Sequence, residues 1–150
     1  MSADTTREPA APVLLVVDAA NVVGSVPNGW WRDRLGAAER LRDRLVAPAE
    51  HGLPEADVEP PLPGPLEVVL VVEGAARRTE GVPGVRVEAA GPGESGDDRI
   101  VRVVADRAPG RRCVVITADR ELRRRVRALG AEVTGPRVVA ATGGPGPGGE

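Results

Sequence analysis

At 150 residues, with 41% hydrophobic content and a net charge of −2, the chain has the bulk of one globular domain with a real core. The charge balance excludes a protein coated in positive charge for nucleic acid, though not a local basic face. A single cysteine, Cys113, excludes a disulfide framework and a cysteine-rich zinc site, and the apolar run Val13–Val17 is too short for a signal peptide or a membrane span, so a cytoplasmic protein with no membrane association is expected.

Residues 1–12 are polar and proline-containing and read as a loose tail. Val13–Val17 is a short apolar, β-branched run, as in a strand buried on both faces, and it stops at Asp18. From Trp31 to Ala47 the spacing is helical: Leu35, Ala38, Leu41 and Leu45 share one stripe, and Pro48 closes it. Residues 48–65 hold six prolines and four acids without periodicity and read as a surface excursion. Glu67–Glu73 is a second buried strand, again ending in an acid, and Val85–Ala89 a weaker third. The turn 91–96 leads into a helix from Asp97 to Ala108, with Ile100, Val103 and Val104 as its inner face. Cys113–Thr117 is a fourth strand, Asp119–Leu129 a helix closed by Gly130, and Ala131–Thr134 a short fifth strand. Residues 142–150 form a Gly/Pro-rich tail, leaving 13–141 as the folded domain. Phe and Tyr are absent, so Val, Leu, Ile and Ala must fill the interior; every basic residue is Arg, a compositional bias. Strands alternating with helices predict an α/β, three-layer domain: a central parallel sheet of about five strands with helices on both faces.

The acids carry the functional argument. In an open α/β sheet, ligands bind beyond the carboxyl ends of the strands, near the point where the strand order reverses. Asp18 and Glu73 directly follow buried strands, and Asp119 lies two residues past Thr117, so all three reach one edge. Asp97 and Asp98 join them if the 91–96 turn folds back. Clustered carboxylates repel and need a cation or protons to coexist. Hard oxygen ligands suit Mg²⁺ or Mn²⁺ rather than zinc, and His51 alone makes no zinc site. Each acid also has a structural reading. Asp18 can begin a turn, Asn21 can be a turn or cap residue, and Asp119 is a good N-cap. Ser95 with Asp98 has the spacing of a capping box, and acids in a first helical turn are favoured by the helix dipole. A side-chain amide at Asn21, three residues past Asp18, is suited to orienting that carboxylate or a phosphate.

Arg120, Arg123, Arg124, Arg125 and Arg127 lie mostly opposite the apolar stripe of their helix, as a solvated face or a phosphate-tracking one. Of Trp30 and Trp31, one is expected to cover the core and the other is available to stack a base. Gly91-Pro-Gly-Glu-Ser-Gly96 satisfies a dinucleotide fingerprint between strand and helix, but Glu94, Asp97 and Asp98 would repel a diphosphate. A phosphatase of the D-x-D kind would need an acid at Ala20, and a phosphorelay receiver would need a lysine that the chain lacks.

VVDAANVVGS, the Ser95-Gly-Asp-Asp-Arg-Ile100 segment and VITADRELRRRVRALGAEVTGP together resemble the YacP-like branch of the NYN family of PIN-like nucleases, over about residues 13–136. The resemblance implies a metal-dependent endoribonuclease acting on single-stranded RNA with Mg²⁺ or Mn²⁺. It implies Asp18, Asp97 and Asp119 as metal-site acids, Asp98 as an adjacent helper, and Asn21 as the polar neighbour orienting water or phosphate. Asn21, Ser95, Thr117, Arg120 and Arg124 are the residues expected to meet substrate. Where the family often has Gly after its first aspartate this chain has Ala19, and where Asp frequently follows the second strand it has Glu73. Two other functions stay open: a non-catalytic RNA-binding module of the same fold, and a nucleotide-binding or nucleotide-hydrolysing protein. An association with the ribosome or with RNA processing is open as well.

Overall fold

The structure is a computed structural model and describes residues 11–27, 29–53 and 60–139. Apart from residues 11 and 12, the tails expected at 1–12 and 142–150 lie outside the described residues. Five strands form one parallel sheet: β1 (Val13–Asp18), β4 (Leu66–Val72), β5 (Val85–Ala89), β6 (Cys113–Ile116) and β7 (Glu132–Thr134). Their order is β5-β4-β1-β6-β7. The three central strands are almost wholly apolar because both their faces are covered, as parallel sheets require.

Alternation along those strands sorts the core into two layers. Leu15, Val17, Leu70, Val72, Val114 and Ile116 face α1 (Ala19–Gly24), α2 (Arg34–Arg44) and α3 (Val46–His51). Leu14, Val16, Val69, Val71, Cys113 and Val115 face α4 (Gly96–Ala105) and α5 (Arg120–Ala128). Each fully buried Leu or Ile contributes roughly 1.5–3 kcal/mol, so these two layers hold the sheet edge beneath the acids rigid. The third strand reads weakly in the sequence because β5 is an edge. Only Val85 is buried there, while Arg86 pairs with Glu67 and Glu88 across its outer surface.

The connection from β1 to β4 departs from the expectation. The helix foreseen over Trp31–Ala47 is divided between a 3-10 turn (Trp30–Arg32), α2 and the start of α3; Asp33 starts α2, its carboxylate accepting the Gly36 amide at 2.9 Å. Pro48 does not end a helix; it sits in the first turn of α3, where a missing N–H costs nothing. The 48–65 stretch is more than a surface excursion. Gly52–Leu53 (β2) and Leu62–Pro63 (β3) form a small antiparallel pair, and Leu53 and Leu62 are buried in the core. Residues 54–59 between them lie outside the described residues.

Stepping outward from β1, the chain winds toward β4 and β5, then crosses back to β6 and β7. The order therefore reverses between β1 and β6. Asp18 and Thr117 stand at the carboxyl ends of those two strands.

Candidate functional site

Asp18 is buried, with 6% of its surface exposed, an environment that aspartate seldom occupies unpaired. It ends β1 and caps α1, its Oδ1 accepting the Asn21 backbone amide at 3.3 Å. Its Oδ2 accepts the Thr117 hydroxyl at 2.9 Å. The same hydroxyl oxygen accepts the Asp119 amide at 3.1 Å. One fully buried hydroxyl thus ties the end of β1 to the start of α5.

Asn21 acts through its side chain on the loop rather than on the carboxylate. Its Oδ1 accepts the Ala118 amide at 2.8 Å, while Arg123 donates through Nε to the Thr117 carbonyl at 2.8 Å. The 117–119 segment is clasped from α1 and from α5. Asp119 then caps α5, accepting the Leu122 amide at 2.9 Å.

On the other side of β1, Glu73 follows β4 and accepts the Gly96 amide at 2.7 Å. Gly96 eases this approach, since a Cβ there would stand 3.0 Å from the Glu73 carboxyl carbon and push it back. That bond draws the 91–96 turn back over the sheet edge and brings in Asp97. Among the described residues nothing donates a hydrogen bond to Asp97; its neighbours are charges.

Burial, foremost, pushes Asp18 up from 3.8 to about 6. The bonds from Thr117 and Asn21 oppose the rise, and the negative charges of Asp97 and Glu73 add to it. Asp97 is raised first by burial, then by Asp119 and Glu73, with Arg125 opposing and Asp98 adding. Asp18, Glu73, Asp97 and Asp119 thus lie within electrostatic reach of one another through Asp97. Glu73, a departure from the family pattern in the sequence, belongs to this group. Among the described residues, no group of three or more His, Cys, Asp or Glu side chains is arranged to hold a metal ion. The donor set is nevertheless oxygen-only and repulsive. Mg²⁺ commonly takes one or two carboxylates and keeps several waters, so the set fits a hydrated ion but not a cage.

Most of the remaining expected residues have structural partners. Ser95 and Asp98 form a reciprocal capping box, the Ser95 Oγ accepting the Asp98 amide at 3.0 Å. Asp98 also accepts from Arg125 at 3.3 Å. Arg124 pairs with Glu121 one turn away on the same helix, and Arg120 is exposed at the start of α5.

The glycine-rich turn is already filled. Glu94 Oε1 accepts the Gly91 amide at 2.9 Å, and its carboxylate is bridged by Arg99 and Arg102. The Gly91 amide, foremost, holds Glu94 below the usual carboxylate range. The Gly96 and Asp98 amides are occupied by Glu73 and Ser95. The backbone donors that would cradle a diphosphate are committed to the protein's own oxygens, which weighs against a dinucleotide site.

A parallel five-stranded sheet of this order, carrying acids where it reverses, is the fold of a solved YacP structure. Among solved structures, the chain is similar to a mutant form of Rae1 (YacP) from Bacillus subtilis. The TM-score is 0.64 and the identity 17%, over 85% of this chain and 72% of that one. The sequence matches no family model and no curated protein. Among the described residues no helix is long and apolar enough to cross a membrane.

Proposed function

We propose that this protein is a metal-dependent endoribonuclease that cuts single-stranded RNA at the Asp18–Asp97–Asp119 edge of the sheet. The supporting observation is the convergence of Asp18, Glu73, Asp97 and Asp119, from four separate connections of a YacP-like fold, with two of them raised in pKa. Such a gathering destabilises the free protein and is relieved by a cation. In this reading Asp97 and Asp119 would hold a hydrated Mg²⁺ or Mn²⁺, with water filling the rest of its shell. The bound ion supplies Lewis acidity toward a phosphodiester and a lowered pKa for water.

The chain's own residues do the rest. Thr117 fixes the spacing of Asp18 and Asp119, and Asn21 fixes the loop that carries Asp119. Asp18, half-protonated near pH 6, is suited to accept a proton from an attacking water at neutral pH. Arg120, exposed beside Asp119, is placed to meet the RNA backbone.

The test is incubation of end-labelled single-stranded RNA with Mn²⁺ and, separately, with a chelator, using wild type and Asp119→Asn. Cleavage should require the metal and vanish in the variant, whose fold is kept because asparagine caps a helix as well as aspartate. Metal-independent cleavage, or full turnover in Asp119→Asn, would remove this assignment. RNA binding without cleavage would return the non-catalytic module.

A further inference from the structure

A hollow beside the acids is not explained by them. Ala19, Ala20, Val23 and Ala38 form its floor, the Trp30 indole its wall, and Arg34 and Glu73 its charged lining among the described residues. Its volume, about 280 Å³, falls just below the roughly 300–1,000 Å³ of sites for drug-sized ligands, which suits one planar ring system. Ala19 directly follows Asp18, and Glu73 belongs both to this hollow and to the acid cluster.

The wall is built for stacking. Trp30 is half-buried, and the Arg34 guanidinium lies 5.5 Å from its ring centroid. Trp31 meets Trp30 edge-on at 6.3 Å and 87°, and Gly24 packs alongside the indole. In a chain with no Phe and no Tyr, these rings are the whole aromatic inventory. A buried-core role would not keep Trp30 at the mouth of an open hollow with a cation stacked over it.

We infer that this hollow is a nucleobase subsite, in which an RNA base stacks against the Trp30–Arg34 wall while the adjoining phosphodiester meets the acid cluster. The inference rests on the ribonuclease reading for the identity of that neighbouring phosphate. Aromatic and guanidinium planes are the usual platforms for unpaired bases, and the Arg34 charge also favours the phosphate beside the base. Glu73 commits Oε1 to the Gly96 amide, leaving Oε2 to accept an N–H from a base edge. The subsite is apolar where a base is flat and acidic where a base edge donates.

Trp30 fluorescence tests this directly. In Trp31→Phe protein, Trp30 is the sole tryptophan; Trp31 is 54% exposed, so the fold tolerates its replacement. This protein is titrated, in chelator so that nothing is cut, with a short single-stranded oligoribonucleotide and with an abasic ribose-phosphate strand of equal length. Saturable quenching is expected from the base-bearing strand, with affinity about tenfold or more above that of the abasic one. Adding Ala20→Leu, which fills the hollow from an exposed position of α1, should weaken base-bearing RNA by a similar factor and leave the abasic strand unchanged. Equal responses to the two strands, or unaltered affinity after Ala20→Leu, overturn the subsite. Base-dependent quenching in a protein that cleaves no RNA keeps the subsite and removes the nuclease reading. Metal-dependent cleavage without base-dependent quenching does the opposite.

Discussion

Replacing Asp18 by Asn should make the protein more stable at neutral pH, and by an amount that depends on pH in one direction only. The folded state raises this carboxyl from 3.8 to about 6, so the native protein holds the proton more tightly than the unfolded chain. Below the unfolded value both states are protonated and burial of the group carries no charge penalty. As pH rises through 4 to 6 the unfolded chain ionises first, and native stability falls. Above pH 7 the full penalty is present, on the order of 3 kcal/mol. Asparagine carries no such penalty. Its Oδ1 still accepts the Asn21 amide and its Nδ2 can donate to the Thr117 hydroxyl oxygen, but the buried hydroxyl proton then loses its acceptor, which returns about 1 kcal/mol. The net gain near pH 8 is therefore about 2 kcal/mol, or roughly 6–8 °C in Tm. Urea unfolding of both proteins from pH 4 to pH 8 measures it. The advantage of Asp18→Asn should grow by roughly 2 kcal/mol across that range. A difference that stays flat with pH, or a variant less stable at pH 8, would show that Asp18 is not held ionised against its surroundings.

Three further outcomes follow from the same geometry. Mn²⁺ at about 100 times its Kd should add about 2.7 kcal/mol to wild-type stability, reversed by chelator, and Asp97→Asn should lose most of that gain in a thermal-shift series. Ser95→Ala should cost about 1 kcal/mol in urea unfolding through loss of the α4 cap, with Ser95→Asn restoring most of it. Glu73→Gln keeps an acceptor for the Gly96 amide but removes one charge, so the Asp18 carboxyl, followed by NMR titration, should move down toward its ordinary value.

The fold was largely legible because its central strands are extreme. Runs such as Leu14–Val17, Val68–Val72 and Cys113–Ile116 are apolar on both faces, as a buried parallel strand is, and are too short for a helix of ordinary length. The acids directly after the first two, and three residues after the last, announced the edge. What could not be read was held by tertiary contact. The sequence AANVVG is too short and too β-branched to signal a helix, yet α1 forms because Asp18 caps it and Val22 is buried. Pro48 misled because a proline that ends one helix is equally at home in the first turn of the next. Among candidate site residues, the place of Asp18 and Asp119 at the edge followed from position, but that of Asp97 depends on the reach of Glu73 to Gly96, across 23 residues. The clasp of Asn21 on Ala118 spans 97 residues and leaves no local trace.

That short first helix has a consequence for anyone altering this protein. Its six residues present the Asn21 clasp to one neighbour and the Ala20 and Val23 floor to another. A tilt that widened the floor would also drag the Ala118 strap. Reshaping one for a new ligand will detune the other unless both are redesigned together.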